Sequence, residues 1–282
     1  MIDDHLLSVI GGREMLSRLT PLGGGCIAPV IRLELRDGRR LVAKRSVHAA
    51  IEARMLGDLA AADAPVPEVV ARQGEWLVMT DLGGRPGLAD ARAARAAGRA
   101  LAGLHAHCGP HYGYPVDVVI GSLPQDNTPA DDWPTFYGRH RLVAMAEEAQ
   151  RAGRLPAKEV MRILRLADTL DEWLPAAPPA SLLHGDFWHG NILSTPGRLC
   201  GFIDPAIYWG DGGVDLAMLA LFGALDRAFL EGYAERAGAA PAIASDSALM
   251  ALYQLWPLLV HVRLFGGSYL AQVAHILDSF GV

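Results

Sequence analysis

The stretch LLHGDFWHGN (182–191), followed by GFIDPAIYWGD (201–211), contains the polar residues on which the fold and the function of this chain depend. Two leucines predict a short buried strand, after which the chain turns polar. Apolar pairs on either side of a Pro-Gly turn between the two stretches predict a small hairpin. This hairpin would bring Asp186, Asn191 and Asp204 together at one end.

These three side chains are the types that phosphoryl transfer from ATP requires. One carboxylate orients or deprotonates the attacking hydroxyl, and an asparagine with a second carboxylate holds Mg²⁺. The catalytic loops of kinases use the spacing D-x-x-x-x-N, followed by a metal-binding aspartate on the next strand. The pattern therefore predicts that Asp186 is the catalytic base and that Asn191 and Asp204 bind the metal.

A second interpretation of the same stretch is a metal site. Imidazole and carboxylate groups together ligate metals in hydrolases, and His184, Asp186 and His189 lie close in sequence. This alternative would make the chain a metal-dependent phosphoesterase. His105, on an alanine-rich helical segment upstream, is more typical of a hydrogen-bonded core histidine than of a further ligand.

The pattern HGDxxxxN…IDP resembles the protein-kinase-like superfamily of small-molecule kinases, which includes aminoglycoside and choline kinases. Within it, HGDFWHGN with IDPAIYWGDGGVDLAML is most similar to the fructosamine kinase (ketosamine 3-kinase) family, through Trp188 and the DPA at 204–206. The resemblance runs from about residue 22 to the C-terminus. It implies that Asp215 holds the backbone of the catalytic loop and that His184 supports the same loop.

Composition limits the classes of protein that the chain can belong to. Its 282 residues are enough for two lobes with cores, and 51% are hydrophobic. The net charge of −6 argues against nucleic-acid binding. Cys26, Cys108 and Cys200 are odd in number and widely spaced, which favours reduced thiols. Without a signal-like N-terminus or an apolar run near membrane-span length, we expect a soluble, cytoplasmic protein that binds no membrane.

The N-terminal part contains a second kinase-like arrangement. Alternating residues at 30–35, an Asp-Gly turn at 37–38 and a returning strand predict a hairpin that ends at Lys44. Glu52 follows on a segment with helical spacing. A lysine on this strand paired with a glutamate on the next helix holds the α- and β-phosphates of ATP in kinases. The order of these residues along the chain therefore predicts an ATP site.

Gly23, Gly24 and Gly25 precede this hairpin. Three glycines allow the backbone to approach phosphates closely, although the run is not a Walker loop. Cys26 follows them directly, and the resemblance implies redox control and disulfide-linked dimers at such a cysteine. The two cysteines further along the chain are more typical of buried structural thiols.

The predicted fold is α+β and two-lobed, a protein-kinase-like arrangement with a small sheet lobe carrying one helix and a larger helical lobe. The glycine-rich segment 81–87 is the predicted hinge, which divides the chain into 1–80, 81–87 and 88–282. By the resemblance, Thr80, Asp81 and Leu82 would contact adenine. Helical spacing predicts helices near 89–107, 133–152, 156–174, 214–223, 249–265 and 269–280.

The resemblance also indicates where the acceptor would bind. The long loop 108–134 resembles the segment that lines the acceptor pocket in fructosamine kinases, although Val118 stands where that family usually has asparagine. Asp117 in this loop is one candidate substrate contact. The others are Trp188, which offers a flat apolar face to a sugar, His189 and Asp211.

We therefore expect a kinase that uses ATP and Mg²⁺ to phosphorylate a ketosamine, either a free sugar–amine or a glycated protein lysine, as a monomer or homodimer. An aminoglycoside or other small-alcohol phosphotransferase is an alternative, because several acidic residues could line the pocket. A nucleotide-binding protein without turnover is disfavoured, since a binding module needs no base. The acidic residues in question are Asp117, Asp126, Asp131 and Asp132.

Overall fold

The computed structural model describes residues 3–23, 29–223 and 225–282, and its N-terminal part is built on an antiparallel sheet. Within those residues the sheet has five strands, and the fifth strand along the chain lies between the third and the fourth. Asp3 caps the helix before the sheet by accepting a 3.0 Å hydrogen bond from the Leu6 amide. The elements are α1 (Asp4–Ile10), β1 (Leu16–Pro21), β2 (Val30–Leu35), β3 (Arg40–Arg45), α2 (Ala49–Ala61), β4 (Val69–Gln73) and β5 (Trp76–Thr80).

The two faces of this sheet are covered by different helices. On one face, Leu33 and Val78 pack with Leu6 of α1. On the other face, Leu77 packs with Leu56 of α2. Neighbouring strand residues such as 77 and 78 point to opposite faces, so β5 contributes to both cores. Burial on both faces therefore fixes the position of α2 against the sheet.

The β2–β3 hairpin turns where the sequence predicts it, at an Asp-Gly pair. Gly38 has φ 87°, in the left-handed region that glycine adopts without strain. The register pairs Val30 with Lys44, the last residue but one of β3. Turn and register together place the lysine at the end of the strand that faces the second part of the molecule.

The rest of the chain is mainly helical, with short strands between the helices. The helices are α3 (Ala91–His105), α4 (Trp133–Tyr137), α5 (Ala144–Arg151), α6 (Ala157–Ala167), α7 (Gly213–Leu221), α8 (Arg227–Ala237), α9 (Ser247–Phe265) and α10 (Leu270–Ser279). The strands are β6 (Arg85–Pro86), β7 (Val118–Ile120), β8 (Leu123–Gln125), β9 (Ser181–Leu183), β10 (Ile192–Thr195), β11 (Arg198–Phe202) and β12 (Tyr208–Gly210). The fold is thus α+β and two-lobed, as predicted, while the residue boundaries of the lobes stay a prediction.

Short strand pairs position the stretch that contains Asp186, Asn191 and Asp204. β10 pairs antiparallel with β11 across a turn at Gly197, and β9 pairs antiparallel with β12, with Leu183 opposite Tyr208. Both pairs lead into the polar segments at 184–191 and 203–207. Because the strands are paired in this way, the two segments lie side by side.

Several local predictions differ from the structure. The helix expected at 133–152 is divided into α4 and α5 by a π-helical turn at Gly138–Val143, a feature that insertion of one residue into a helix produces. β1 was not located from the sequence because most of its side chains are exposed and show no alternation. Loop 108–134 also contains the β7–β8 hairpin.

Helix α9 departs from the expectation that no apolar segment reaches membrane-span length. By length and composition Ser247–Phe265 would suffice, with a mean hydropathy of 1.4, and 50% of that window is buried inside the protein. The helix packs against α5, α7 and α10. Trp256 in the middle of α9 is buried in the core, whereas Phe265 at its end is exposed. The apolar composition of α9 is therefore explained by its place in the core.

Candidate active site

The loop that the sequence predicts to be catalytic, residues 184–191 and hereafter called the catalytic loop, begins directly after β9. Gly185 has φ 80°, and a side chain there would collide with the carbonyl of Ala206. Only glycine combines this backbone conformation with such a close approach. The requirement explains the glycine in the sequence HGD, and it holds the loop against the segment that follows Asp204.

Asp215, at the start of α7, holds the backbone of this loop. Its carboxylate accepts hydrogen bonds from the amides of His184 at 2.8 Å and Gly185 at 2.9 Å. His105 lies 3.2 Å from the same carboxylate and 3.0 Å from the hydroxyl of Tyr233. Asp215 is completely buried. A buried carboxylate that is hydrogen-bonded on both oxygens is a rigid support. The resemblance implied that Asp215 holds the loop backbone, and these contacts are of that kind.

His184 is used entirely inside the loop. Its Nδ1 accepts from the amide of Asp186 at 3.3 Å, and its Nε2 contacts the carbonyl of Ile203 at 3.1 Å. The carbonyl can only accept, so Nε2 carries the proton. Burial lowers the pKa of His184, which favours the neutral ring. Both nitrogens are thereby engaged, and neither is available to ligate a metal in the phosphoesterase interpretation.

Asp186 stands next to Asn191, five positions further along the chain. The Asn191 amide nitrogen donates to the Asp186 carboxylate at 2.9 Å and to its carbonyl at 2.8 Å. Burial raises the pKa of Asp186 to about 7; Asp204 and Asp215 act in the same direction, and Asn191 and Lys44 oppose it. A carboxylate with a pKa near neutrality can accept a proton from a hydroxyl and release it again.

Lys44 connects the sheet lobe to this centre. Its Nζ donates to Glu52 at 2.9 Å and to Asp204 at 2.7 Å. Burial on its own would lower the pKa of Lys44, but the two carboxylates outweigh it and raise the pKa. Burial raises the pKa of Glu52 despite its contact with the lysine. The charged cluster Lys44–Glu52–Asp204, hereafter the ion cluster, therefore joins β3, α2 and the segment after β11.

Asp204 differs from Asp186 in its exposure and backbone. Its side chain is 46% exposed, and its φ of 54° lies in the left-handed region, which non-glycine residues rarely adopt. Such backbone outliers cluster at functional sites. Because the side-chain nitrogen of Asn191 donates to Asp186, its side-chain oxygen is the atom that could bind a metal ion. Carboxylate and amide oxygens are the atoms that Mg²⁺ prefers.

The predicted nucleotide contacts are only partly described. Gly23 lies in a turn, whereas Gly24, Gly25 and Cys26 fall outside the described residues.

Cys200 is buried as expected, but Cys108, also expected to be buried, is exposed. Its position directly after α3, where the chain passes over the surface, explains the difference.

The predicted hinge residues are tied to the sheet. The amides of Thr80 and Asp81 donate to the carbonyls of Glu68 and Arg40. The buried carboxylate of Asp81 forms a 2.7 Å ion pair with Arg32 of β2. The backbone N–H groups of Thr80 and Asp81 are therefore occupied within the protein. If this segment contacts adenine as predicted, we expect the contacts to come from Leu82 and from the backbone carbonyl groups.

The candidate acceptor residues separate into two groups, of which the first lies on an exposed aromatic surface. Trp188 is 38% exposed, and its ring is 5.9 Å from that of Phe222, which in turn lies 4.6 Å from the ring of His261. His189 packs against Gly223. An aromatic surface that includes Trp188, two positions after the predicted base Asp186, is suited to the apolar face of a sugar ring.

The second group is engaged in internal hydrogen bonds. Asp117 accepts from the amide of Asn127 at 2.9 Å. Asp211 accepts from the Tyr253 hydroxyl at 2.7 Å and from the amide of Gly213 at 2.8 Å, which places it at the beginning of α7. The structure therefore gives both aspartates a supporting position and does not place them with Trp188.

Sequence reasoning missed two buried polar residues that contact the segment after Asp204, a predicted metal ligand. Gln125 donates to the carbonyl of Ala206 at 3.1 Å, and Asn127 donates to that of Ile207 at 3.4 Å. The run QDN in a loop was the available signal. Nothing in its spacing, however, connects the loop to a segment about 80 positions away.

A conventional metal site is built from several His, Cys, Asp or Glu side chains that lie close together. Among residues 3–23, 29–223 and 225–282, no group of three or more His, Cys, Asp and Glu side chains is arranged to hold a metal ion. Mg²⁺ in kinases needs no such group, since substrate phosphates and water complete its shell. The side chains thus favour the kinase interpretation over the phosphoesterase.

Among known proteins, the chain is similar to ketoamine and fructosamine kinases. A candidate ketoamine kinase from Synechocystis sp. is 38% identical over 184 residues, which is 64% of this chain and 59% of that protein. The structure of a candidate fructosamine-3-kinase from Thermobifida fusca superimposes with a TM-score of 0.84 at 33% identity, covering 94% of this chain and 93% of the other.

More distant structures share the fold. An aminoglycoside phosphotransferase variant in a ternary complex with ADP and hygromycin B superimposes with a TM-score of 0.66, at 16% identity and 97% coverage of both chains. The family model described as fructosamine kinase matches residues 2–280. That match covers nearly the whole sequence, so the chain belongs to the fructosamine kinase family.

Proposed function

We propose that this protein transfers the γ-phosphoryl group of ATP to a hydroxyl of a ketosamine. The observation that carries the proposal is that two hydrogen-bonded pairs, Asn191 with Asp186 and Lys44 with Asp204, come from two lobes and lie close enough for the charges of Asp204 and Lys44 to act on the Asp186 carboxylate. The names of the relatives support the ketosamine class. The aligned stretch spans 59% of the Synechocystis protein, so the activity of that protein is carried over here as a proposal.

In the reaction, the acceptor oxygen attacks the γ-phosphorus as the bond to the β,γ-bridging oxygen breaks, and ADP leaves. The proton of the hydroxyl passes to Asp186, whose pKa of about 7 suits that transfer. Asn191 fixes the direction of the Asp186 carboxylate through its 2.9 Å hydrogen bond. Positioning and charge neutralisation supply most of the rate, because phosphoryl transfer needs little covalent help from the protein.

Asn191 and Asp204 would hold Mg²⁺, which neutralises charge on the phosphates when bound. The amide oxygen of Asn191 and the half-exposed carboxylate of Asp204 are suitable hard ligands. Lys44, aimed by Glu52, would hold the α- and β-phosphates. Gly23, Gly24 and Gly25 would cover the phosphates.

The acceptor would lie against Trp188. A sugar–amine has a ring or chain with an apolar face, which fits the exposed indole, and a hydroxyl that can reach Asp186. Both a free ketosamine and one formed on a protein lysine share this chemistry. We propose a monomer or a homodimer, located in the cytoplasm.

An aminoglycoside is a less favoured acceptor because the acidic residues that could attract a polycation have partners. Asp126 contacts His140 at 2.7 Å and Asp131 contacts His111 at 2.6 Å. Asp132 caps α4 by accepting from the Thr135 amide at 2.8 Å. These carboxylates are held by neighbouring groups of the protein.

ADP release tests the proposal when it is measured with fructosamines, ribulosamines, erythrulosamines, aminoglycosides and choline as acceptors. We expect turnover with one or more ketosamines that requires Mg²⁺ and is lost in Asp186→Asn. Turnover with an aminoglycoside or choline and none with any ketosamine would contradict the acceptor class. Phosphate release without an acceptor would instead support the phosphoesterase. A glycated peptide and the corresponding free ketosamine distinguish the two acceptor forms.

A further inference from the structure

Three buried polar side chains converge behind the metal-binding segment. Gln125 is 3% exposed, while Asn127 and Arg141 are completely buried. Arg141 donates to the Asn127 side chain at 2.7 Å, and Gln125 lies 3.4 Å from the same oxygen. Since buried polar groups are costly unless they are hydrogen-bonded, such a network has a specific role in the fold or in the function.

The network ends on consecutive carbonyls directly after Asp204 and Pro205. Gln125 donates to the carbonyl of Ala206, and Asn127 donates to that of Ile207. Asp204 itself has the left-handed backbone conformation, at φ 54°. A strained residue keeps such a conformation only when its surroundings restrain it. The two amides supply that restraint on the C-terminal side of the aspartate.

The contacts of Gln125 indicate that its side-chain NH2 group, and not its carbonyl oxygen, is the part that this position requires. Its Nε2 faces two acceptors, while its Oε1 is buried and has no hydrogen-bond partner among the residues that the structure describes. A half-satisfied buried amide is an unfavourable way to fill space. The residue therefore fits this position through its hydrogen bond to Ala206 and not through its packing alone.

Arg141 orients the network from the π-helical turn. It donates to the carbonyl of Asp126 at 2.6 Å and lies over the ring of Tyr208, with 3.9 Å between the guanidinium and the ring centre. One extra residue in the turn shifts the helical register, a change that recurs at functional sites. The turn thus directs Arg141 inward to Asn127.

We infer that Gln125, with Asn127 and Arg141 behind it, is a positioning residue for Asp204 and sets the geometry in which Asp204 receives Mg²⁺. The inference rests on the proposed function, because it assigns Asp204 to the metal. Gln125 touches neither metal nor substrate in this assignment and acts through the 204–206 backbone. Loss of its hydrogen bond should weaken metal-dependent steps more than it weakens the fold.

The test is Gln125→Met, which keeps the size of the side chain and removes the donor. A matched control is Gln254→Met, since Gln254 also donates its amide to a main-chain carbonyl, that of Ala217 in α7, at 3.3 Å. For both variants, the Mg²⁺ concentration giving half-maximal turnover is measured at fixed ATP, together with thermal unfolding. We expect Gln125→Met to raise that concentration about 3- to 10-fold, the worth of one hydrogen bond, and Gln254→Met to leave it unchanged.

Equal Mg²⁺ dependence in the two variants would overturn the inference, whatever their stabilities. Gln125→Asn provides a further check, because it retains the amide but shortens its reach, and it should behave like Gln125→Met. Asp204→Asn separates the two levels of the argument. If Asp204→Asn does not change the Mg²⁺ requirement, the metal assignment fails; if it does and Gln125→Met does not, only the positioning role fails.

Discussion

The catalytic loop at 184–191 is held by hydrogen bonds to its own backbone, whereas the ion cluster is held by charge between side chains from three elements. Asp215 accepts from two loop amides, and the His184 ring accepts from a third. In the ion cluster, one ammonium group contacts two carboxylates, one of which is 46% exposed. The supporting groups of the loop, Asp215 and His184, are buried and paired within the protein. The ion cluster includes a half-exposed carboxylate, which can also contact water or a ligand.

This difference separates the part of the site that is preorganised from the part that exchanges partners. We expect the hydrogen bonds from the backbone of residues 184–186 to Asp215 and to the His184 ring to keep Asp186 in place with or without ligand. The contact between Lys44 and Asp204, in contrast, joins a predicted phosphate ligand to a predicted metal ligand. Bound ATP and Mg²⁺ would offer both groups other partners, so we expect this contact to loosen on binding.

The largest effect is expected in the preorganised loop. Asp186→Asn keeps the shape of the side chain but removes the base, so kcat should fall about 10²- to 10⁴-fold. Nucleotide affinity should change little, because the ion cluster is intact. Steady-state kinetics and calorimetric titration with ATP measure the two quantities. Near-normal turnover would show that the loop does not supply the base.

Asp204→Asn tests the exchanging region at its metal ligand. We expect a loss of kcat of about 10²-fold together with weaker binding of Mg²⁺ and nucleotide, since one charged ligand is removed. Titration with an ATP analogue, with and without Mg²⁺, measures this. Binding without metal should be nearly unchanged. If both titrations lose the same affinity, Asp204 does not act through the metal.

Asp215→Asn breaks the support of the loop and leaves the ion cluster unchanged. The side-chain NH2 group of the new asparagine would face the backbone N–H of His184 or Gly185, and two donors cannot form a hydrogen bond. This loss should destabilise the protein by about 1–3 kcal/mol and lower kcat about tenfold. Asp226→Asn is the matched control, because Asp226 also accepts from two backbone amides but caps α8 at the surface. Chemical denaturation and kinetics should separate the two variants.

The pH dependence should report the loop carboxylate. Burial raises the pKa of Asp186 to about 7, so kcat/KM should fall about tenfold per pH unit below pH 7 and level off above it. The raised value also means that the folded state binds more protons than the unfolded state between about pH 4 and 7. Stability should therefore fall as the pH rises through that window. Asp186→Asn should lack this contribution, and a profile unchanged in that variant would assign the titration to another group.

The same two regions show how much the sequence could predict. The contact of Asn191 with Asp186 could be predicted because the two residues share a short spacing, and the contact of Lys44 with Glu52 because kinases place such a pair in this order along the chain. The roles of these residues and of Asp204 stay predictions. The hydrogen bonds from Gln125 to Ala206 and from Arg141 to Asn127 could not be predicted, since they depend on packing between distant segments. Asp117 was assigned to the substrate from its loop, yet its carboxylate supports the amide of Asn127.

The smallest effect, and the most direct test of the ion cluster, is the energetic coupling between Lys44 and Glu52. Lys44→Met should weaken nucleotide binding, and Glu52→Ala should weaken it less, because Glu52 acts by aiming the lysine. The pair is 2.9 Å apart, with side chains 18% and 8% exposed, so the double variant should deviate from additivity by about 1 kcal/mol. Arg45 at the end of β3 and Glu75 in the turn between β4 and β5 provide the control, because they form a 3.0 Å pair in which both side chains are nearly half exposed. Their coupling should be close to zero, since solvent screens surface pairs. Strict additivity for Lys44 and Glu52 would mean that the two charges act separately, so Glu52 would not act on nucleotide binding by aiming the lysine.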